Sequence, residues 1–514
     1  MKILFVTSHF GFLRNFEFAI RALARRGHSF TLVADRRDSL GGTKTIDNIR
    51  ADFPDAITVA DAPKTRDAAW QPLGSALRLT LDYWRYLHPR YARSPKLRAR
   101  AASQAPSLAS RWARLPLLGG SGPLRLAARG VRAAERAMPI SPEVMRFLES
   151  ERPDLLLVTP LLYFGSQQGD YVRAAKRLGI RSVLCVGSWD HLTTKGLIHA
   201  TPDRVIVWNE IQRQEAAELH GIPLASVTVT GAQAYDHWFT TAPSLSRDAF
   251  CAGVGLPADR PFLLYLCSSP FITPNEVGFV ERWITALRSS TVPAVRDVGV
   301  LVRPHPQNSE QWADVDLSRF GHVAIHPRGG ANPVDRQARA EYFDSMFHSA
   351  GVVGVNTSGL IESGIVGRMV YTVLDDEFAG TQEGTLHFRH LLHVNGGLLH
   401  VARNLPEHCA QVGDLLTGVT DSADKARRFV EVFIRPSGLE RPAADVFADA
   451  IEAEGRKGTV TPEAPGVLVP VWQAVLSPLA AVARVAAARR RDTARARKVE
   501  QAFRDKDAAV EDAR

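Results

Sequence analysis

The stretch VVGVNTSGLIESGIVGR, residues 352–368, contains the pattern on which the fold prediction rests. An apolar run ends at Val355, a small polar loop follows, and apolar residues then recur at helical spacing from Gly359 onward. A buried strand that leads through a short loop into a helix is the repeating unit of parallel α/β sheets. The stretch therefore predicts an open α/β domain whose functional loops lie at the carboxyl ends of its strands.

The same unit recurs along the chain in two series, separated by an irregular stretch at 240–260. We predict two Rossmann-like parallel-sheet domains that face each other across a cleft, with the division 1–240, linker 241–258 and 259–457, followed by a tail, 458–514. Strands are predicted in the first series at 3–6, 30–33, 154–158, 182–186, 204–208 and 227–230. In the second series they are predicted at 262–267, 299–303, 323–326, 352–355 and 370–374.

Length and composition support this division. The chain has 514 residues, which is too long for one hydrophobic core. Its composition, with 45% hydrophobic and 23% charged residues, excludes disordered, collagen-like and polytopic membrane chains. The four cysteines lie far apart without a CxxC pair, so the sequence indicates neither a zinc site nor a disulfide framework. The apolar run at the N-terminus is too short for a signal peptide, and we expect a cytoplasmic protein.

Positive charge is concentrated in two segments that do not follow the α/β pattern. Residues 84–137 carry twelve basic residues and one acidic residue, and 484–506 carry nine basic and three acidic. Because the whole chain carries +9, the remainder is acidic, at −8. Within the tail, 466–483 contains no charge but is interrupted by Pro470 and Pro478, which favours an amphipathic segment on a membrane over a spanning helix.

We therefore expect the basic helical insertion, about 80–140, and the tail, 466–504, to bind an anionic membrane surface, on the inner face of the cytoplasmic membrane. Simple solvated helices are the first alternative. Nucleic-acid binding is a weaker one, although aromatic residues are interleaved with the arginines.

The loop after Val355 has the chemistry of an anion site. The free backbone amides of Thr357, Ser358 and Gly359 suit a phosphate above the strand end. Glu362, on the first turn of the helix, can accept hydrogen bonds from ribose hydroxyls. Simple helix capping by Ser358 and Glu362 is the alternative interpretation.

Two further segments follow strands of the second series. In RPHP, 303–306, the prolines fix the direction of Arg303 and His305, and a guanidinium there can neutralise a diphosphate, unless it is an incidental surface arginine. The polar loop 375–385 can present Glu377, Thr381 and Gln382 to sugar hydroxyls, unless it is only a solvated acidic loop.

Candidate catalytic residues follow two strands of the first series. His9 comes directly after the first strand, where it can act as a general base, and Gly11 lets the backbone approach a ligand. The segment SWDHLTTKG, 188–196, adds a dense set of chemical groups: Trp189, Asp190, His191 and Lys195. Taken alone, His9 and His191 are each more typical of packing or capping. Both follow strands of the same predicted sheet, at the same edge, and this favours a functional role.

Four motifs in this order resemble the GT-B enzymes that act on nucleotide sugars. This broad group includes glycosyltransferases, UDP-GlcNAc 2-epimerases and CDP-glycerol glycerophosphotransferases. The motifs are His9 with RRGH (25–28) and TLV (31–33), VTGAQAYD (229–236), RPHP (303–306) and NTSGLIESG (356–364). They are similar to the first βαβ unit, the strand-end TGxxxxD, the HP motif and the donor-binding turn of the group. The resemblance covers about 1–40 and 150–455.

The resemblance implies a role for each candidate residue. Those implied for the nucleotide-sugar donor are Arg303, His305, Asn356, Thr357, Ser358, Gly359, Glu362, Glu377 and Thr381. Those implied for catalysis are His9, Asp190 and His191, with Gly11, Trp189 and Lys195 on the acceptor side. GT-B enzymes characteristically need no metal, so we expect neither a metal nor a cofactor, and the nucleotide sugar is a substrate.

The predicted function is transfer of a sugar from a nucleotide-sugar donor to a lipid-linked or polysaccharide acceptor of the cell envelope. Polyol-phosphate transfer from a CDP-glycerol-type donor is one alternative. UDP-GlcNAc 2-epimerisation is another, although that group typically has an acidic-Gly-Arg turn where this chain has Ser-Trp-Asp-His at 188–191. A non-catalytic nucleotide-sugar-binding protein is the third.

Overall fold

The structure is a computed structural model that describes residues 1–36, 41–63, 69–115, 121–419 and 423–489. Within these residues the first domain is built on a seven-stranded parallel sheet in the order β3-β2-β1-β4-β5-β6-β7. Its strands are β1 (Lys2–Thr7), β2 (Ser29–Ala34), β3 (Ile57–Asp61), β4 (Leu155–Thr159), β5 (Arg181–Cys185), β6 (Arg204–Val207) and β7 (Val227–Val229).

The second domain is built on a six-stranded parallel sheet, counted over the same described residues, in the order β10-β9-β8-β11-β12-β13. Its strands are β8 (Phe262–Leu266), β9 (Gly299–Arg303), β10 (Val323–Ile325), β11 (Gly351–Gly354), β12 (Val370–Val373) and β13 (Leu399–Ala402). The two predicted Rossmann-like domains are confirmed. The edge strands β3 and β13 were not predicted; β3 is short and partly exposed, and so lacks the apolar run of a central strand.

Helices cover both faces of each sheet, as parallel sheets require. Those that precede residue 240 are α1 (Glu17–Arg25), α2 (Gly42–Asp52), α3 (Gln71–Arg85), α4 (Pro95–Gln104), α5 (Ser107–Arg114), α6 (Ser121–Arg136), α7 (Pro142–Glu151), α8 (Gly169–Leu178), α9 (His191–Thr194) and α10 (Glu210–His220). Those that follow are α11 (Arg247–Val254), α12 (Val277–Arg288), α13 (Pro293–Arg296), α14 (Arg336–Phe347), α15 (Gly359–Ile365), α16 (Leu386–His393), α17 (Leu405–Leu416), α18 (Ala423–Phe433), α19 (Ala443–Arg456) and α20 (Val469–Arg489).

The basic insertion comprises α3 to α6 and has a small core of its own, centred on Tyr86 and Tyr91. Some of its basic residues are structural and lie inside it. Arg78 pairs with Glu135 at 3.1 Å, both buried, and Arg85 donates to the carbonyl oxygens of Lys195 and Gly196 at 3.0 and 2.8 Å. Arg85 is one of the twelve basic residues counted at 84–137, so that count overstates the charge that this segment presents to a partner.

The insertion also connects the two domains through α4. Lys96 donates to the carbonyl oxygen of Ile272 at 2.9 Å, and Ser94 donates to that of Gly384. The Arg100 guanidinium lies over the ring of Phe271, 4.4 Å from its centroid. The insertion is thus part of the boundary between the domains.

The chain returns to the first domain before its tail. The sequence division places α19 in the second domain, whereas its apolar face packs into the first-domain core through Phe447, Ala448 and Ile451. Asp236, the last residue of the TGxxxxD-like motif, fixes the start of α19 against the first domain. Its carboxylate accepts from the backbone N–H groups of Ala443 and Ala444 at 3.0 and 2.7 Å, and pairs with Arg435 at 2.7 Å.

The tail crosses the outside of the first domain. Val460 donates its backbone N–H to Gly179 at 2.9 Å, and Glu463 donates to Lys176 at 3.0 Å. Helix α20 is the one helix of the described part of the chain that is long and apolar enough to cross a membrane. One of its faces is packed against the insertion, where Leu476 and Ala480 are buried. The predicted membrane segment 490–504 lies outside the described residues.

Candidate functional site

Two adjoining pockets lie at the carboxyl ends of both sheets. The larger pocket, about 310 Å³, is lined by first-domain residues such as Arg14 and by second-domain residues such as His305. The smaller pocket, about 240 Å³, is lined by the segments that follow β5 and β8. Three residues line both pockets: His305, Thr357 and Ser358. Carboxyl ends of parallel strands are where open α/β folds bind their ligands.

Arg14 is the cation that the larger pocket offers most directly to a ligand. It comes from a 3-10 turn, Phe10–Asn15, directly after β1, and its side chain is exposed. It forms no ion pair with a described residue of the chain. It lies near enough to Glu362 and His305 that its charge lowers the pKa of each. An unneutralised guanidinium at a pocket wall suits a phosphate.

Arg303 lies at the carboxyl end of β9 and lines the larger pocket, but its charge is already paired within the protein. It is buried, pairs with Glu341 at 3.1 Å, and lies 5.0 Å from the ring centroid of Tyr342. The Tyr342 hydroxyl in turn donates to Glu362 Oε2 at 2.7 Å. Arg303 lines the larger pocket, but Glu341 neutralises its charge, so its evident action is to hold the Tyr342–Glu362 pair in place.

Glu362 lies in the wall of the larger pocket, as predicted. Removal from water raises its pKa, opposed by the hydrogen bond from Tyr342 and by the charge of Arg14. Tyr342 occupies one carboxylate oxygen, which leaves the other to accept from a ligand hydroxyl.

His305 stands at the junction of the two pockets. Its Nδ1 accepts from the backbone N–H of Gln307 at 3.1 Å, so in the neutral ring the proton is on Nε2. Burial, followed by the nearby Arg14, lowers its pKa, which favours that neutral form. An Nε2–H group donates a hydrogen bond and cannot take a proton, so His305 is suited to binding an oxyanion rather than to general-base catalysis.

The loop after β11 lies where the sequence placed it. Thr357 and Ser358 line both pockets, and Gly359 lines the larger one. A side chain at Gly359 would lie 2.6 Å from the Tyr342 hydroxyl, so glycine is required there. Ser358 makes no side-chain capping bond; its Oγ accepts instead from Trp189 Nε1 at 3.2 Å. Since α15 has only seven residues, Arg14 and His305 are stronger grounds for anion binding than its dipole.

Trp189 joins the domains beside this loop. Besides the bond to Ser358, its ring packs edge-on against His387 of the second domain, with centroids 4.8 Å apart. Burial lowers the pKa of His387 to about 4, so this ring is neutral at physiological pH. Asn356 is buried beneath, where its side-chain amide donates to the Thr381 carbonyl oxygen at 2.6 Å.

Asp190, predicted to be catalytic, and Lys195, predicted for the acceptor side, both line the smaller pocket. Lys195 Nζ lies 3.7 Å from Asp190 Oδ2, and Asp190 also accepts from Ser188 Oγ at 2.6 Å and Thr194 Oγ1 at 2.8 Å. Burial opposes ionisation, but neighbouring cationic groups led by Lys195 and the Ser188 hydrogen bond hold the Asp190 pKa well below its usual range. The pocket thus contains a carboxylate that is ionised at neutral pH.

Neither predicted catalytic histidine is among the described residues that line the two pockets. His9 packs on Phe12 with ring centroids 4.6 Å apart, and Phe12 lies edge-on to His191 at 5.8 Å. His191 is buried, which lowers its pKa to about 4. Gly11 is buried in the same turn. These residues form the layer behind Asp190.

The side chains of the loop 375–385 that were assigned to the donor make contacts within the protein and do not line the pockets. Glu377 is exposed and pairs with Arg282 at 2.9 Å, and Thr381 is buried with its hydroxyl donating to main-chain carbonyl oxygens. Neither lines either pocket in the described structure. A polar, Gly-spaced loop after a strand indicates proximity to the site, but not which side chains turn inward.

Arg14 and Arg100 were missed by sequence reasoning. Arg14 lies in a 3-10 turn with no motif around it, and its position after the first strand is the only sequence signal. Arg100 lies in the insertion, which sequence analysis connected with a membrane, yet it lines the smaller pocket. Only tertiary packing brings α4 to that position.

No protein-family model and no curated protein matches the sequence. Solved structures do match it. UDP-GlcNAc 2-epimerase from Methanocaldococcus jannaschii, in complex with UDP-GlcNAc and UDP, is 12% identical, with 88% of this chain and 100% of that chain covered and a TM-score of 0.47. A glycosyltransferase from Rickettsia africae is 10% identical, with coverage of 88% and 98% and a TM-score of 0.48. UDP-GlcNAc 2-epimerase from Neisseria meningitidis bound to UDP-GlcNAc is 12% identical, with coverage of 89% and 100% and a TM-score of 0.44.

Proposed function

We propose that the protein is a glycosyltransferase that transfers a sugar from a nucleotide-sugar donor to an acceptor hydroxyl. The observation that carries the proposal is the pair of joined pockets. One contains groups suited to a nucleotide diphosphate, the other contains an ionised carboxylate, and they meet at His305, Thr357 and Ser358. A reaction between two bound substrates needs this arrangement, because the transferred group must lie where both sites meet.

The donor nucleotide occupies the larger pocket in this proposal. Glu362 accepts from ribose hydroxyls, and Arg14 and the Nε2–H group of His305 contact the diphosphate. As the bond between the sugar C1 and the diphosphate oxygen breaks, negative charge grows on the leaving nucleoside diphosphate. Both contacts strengthen with that charge and so favour the transition state.

The acceptor occupies the smaller pocket. Its hydroxyl oxygen forms the new bond to C1 and becomes strongly acidic as that bond forms. Its proton then passes to the Asp190 carboxylate, whose lowered pKa makes it a weak base that accepts late in the reaction. Lys195, 3.7 Å from that carboxylate, holds it ionised and in position. Metal independence belongs to the proposal as well and rests on the motif resemblance. An envelope or lipid-linked acceptor also belongs to it, and rests on the basic insertion and tail, which are expected to lie on an anionic membrane.

A thermal-shift panel of UDP-, GDP-, CDP-, CMP- and dTDP-linked donors tests the donor pocket. A ligand that binds only the folded state raises the melting temperature, and we expect one nucleobase to do so. Glu362→Gln should reduce that shift, whereas Glu377→Gln, an exposed glutamate of the same domain, should not. No stabilisation by any donor would contradict the proposal.

Product analysis with the selected donor tests the reaction type. Sugar transfer from a nucleoside-diphosphate sugar releases a nucleoside diphosphate, and sugar transfer from a CMP-sugar releases CMP. Polyol-phosphate transfer from CDP-glycerol also releases CMP, but it leaves a phosphodiester on the acceptor, so the acceptor product is analysed together with the nucleotide. Epimerisation at C2 gives the epimeric sugar without an acceptor. Asp190→Asn should lower kcat by about 10²- to 10⁴-fold, the usual contribution of a general base, with donor binding retained. Donor binding without turnover, across a panel of acceptors, would favour a non-catalytic binding protein.

A further inference from the structure

Exposed apolar side chains are concentrated on the outer face of α20. Val471, Val475 and Val482 are 59%, 62% and 67% exposed, and Leu479 and Val485 complete a stripe with three- and four-residue spacing. Such spacing places all five on one side of a helix. Large exposed apolar side chains are normal when scattered, whereas a contiguous stripe indicates an interaction surface.

The opposite face of α20 is already occupied. Leu476 and Ala480 are buried against Leu73, Ala134 and Met138 of the insertion and its flank. Gln473 Nε2 donates to the Ala137 carbonyl oxygen at 3.0 Å. The helix is therefore held lengthwise along the protein, although its 21 residues would reach across a bilayer. A spanning orientation would require breaking these contacts.

A basic stripe lies on the neighbouring helix. Arg125, Arg129, Arg132 and Arg136 are spaced four, three and four residues apart on α6, and all four are exposed. None forms an ion pair with a described residue. The C-terminal end of this helix packs against α20, and its N-terminal half packs against α5, which exposes Leu108 and Trp112.

We propose that α20 and α6 form a docking face that lies in the plane of an anionic lipid surface. The valine–leucine stripe enters the boundary between headgroups and acyl chains, while the arginines contact lipid phosphates. The charge of the arginine stripe and the apolar stripe together favour a lipid surface over a second copy of this chain or a nucleic acid. A second copy of this chain would bring two arginine stripes together, and a nucleic acid would leave the aliphatic stripe facing water.

The docking face is independent of the chemistry in the pockets, and the test uses the full chain. Co-sedimentation is measured with vesicles of phosphatidylcholine alone and with 30% phosphatidylglycerol. We expect binding only to the anionic vesicles, weakened by added salt. Val475→Asp with Val482→Asp should abolish it, whereas Ser477→Asp with Ala481→Asp, the same two charges at exposed positions on another side of the helix, should retain most of it.

The arginine stripe is tested separately. Arg129→Gln with Arg132→Gln should weaken binding about 30-fold, at about fivefold for each basic residue near an anionic surface. Arg146→Gln with Arg403→Gln removes the same two charges at exposed positions away from α6 and α20, and is the matched control. Melting temperatures of all variants verify folding. Equal binding of the paired valine variant and its control would overturn the proposal. So would protein that stays in vesicles after alkaline carbonate extraction, which indicates a span, or concentration-dependent dimers without lipid binding.

Discussion

Arg14 is the side chain on which anion binding in the larger pocket depends most directly. We expect Arg14→Ala to weaken binding of the selected nucleotide donor about 10- to 100-fold, because a hydrogen bond to a charged group contributes about 1.5–3 kcal/mol. Isothermal titration measures the change. Arg25→Ala is the matched control, since α1 runs back from the pocket and Arg25 lies in its last turn. Equal affinity in both variants would remove Arg14 from the site.

Glu276 should make stability depend on pH. It is fully buried and accepts from Tyr265 Oη at 3.0 Å and from the Ser268 N–H at 2.8 Å, and burial raises its pKa from 4.5 to about 7. A raised carboxyl pKa stabilises the folded state fully below pH 4.5, and this stability is lost as the pH rises through 7. The loss amounts to about 3 kcal/mol over that window.

Glu276→Gln should therefore gain about 2–3 kcal/mol of unfolding free energy relative to the unaltered protein between pH 5 and pH 8, measured by urea denaturation of both. The difference between the two proteins is the quantity to compare, because other groups act in both: Asp35, with its pKa raised to about 7, lowers stability over this window, whereas His191 and His387, with pKa values lowered to about 4, raise it. Glu281→Gln, at the exposed side of α12, serves as the control. The same pH dependence in Glu276→Gln and the unaltered protein would show that Glu276 does not titrate in this window.

For individual residues, the sequence predicted which loops form the site. It did not predict which hydrogen-bond and ion-pair partners each side chain has. His305, Ser358, Glu362 and Asp190 all line a pocket, since each lies in the loop or the first helical turn that follows a strand and the strand ends converge. Arg303 is the last residue of β9, but its pairing with Glu341 depends on α14, which is remote in the sequence. A motif specifies the backbone position, and tertiary contacts decide which charges stay available.

Among the secondary-structure elements, α19 shows a strong dependence on one residue. Its first two backbone N–H groups and Arg435 all bind the buried Asp236 carboxylate. Removing that carboxylate leaves a buried guanidinium and two amides without an acceptor, so Asp236→Ala should destabilise the protein by about 3–5 kcal/mol. Chemical denaturation measures this cost.

The matched comparison is the exposed pair Arg427–Glu431 on α18, with side chains 66% and 38% exposed. Glu431→Ala should change stability by no more than about 0.5 kcal/mol, because exposed ion pairs contribute little. Similar small effects at both positions would mean that α19 docks through its apolar face alone.

Central strands and the helices that follow them were predictable from apolar periodicity, as β11 and α15 illustrate. The docking of α19 onto the other domain was not, because its Phe447 and Ile451 stripe is compatible with either sheet. The packing of α20 could not be predicted from the sequence either. Trp472 and Leu476 mark the face that is buried, but this face is recognisable only when the position of α6 is known.

At the scale of the whole molecule, the net charge of +9 divides into three parts with different consequences. The body is acidic. Some arginines of the insertion, such as Arg78 and Arg85, make contacts inside the protein, whereas the arginine stripe of α6 is exposed to solvent. Composition could predict an anionic partner but not which arginines meet it, since that depends on how α3 to α6 pack.

The bridge made by α4 has a consequence for motion. Two domains joined only by a linker rotate about it as a hinge, and such opening sets the rate of product release in many enzymes. Here Lys96, Ser94 and Arg100 attach the insertion to the second domain on the side of the smaller pocket. Opening on that side must break these contacts.

On the side of the larger pocket, Arg339 pairs with Glu17 at 2.9 Å and Lys44 pairs with Asp335 at 3.4 Å, so the domains are joined there as well. Release of the spent nucleotide must therefore break one of these two sets of contacts, either the bridge made by the insertion or the ion pairs beside the donor pocket.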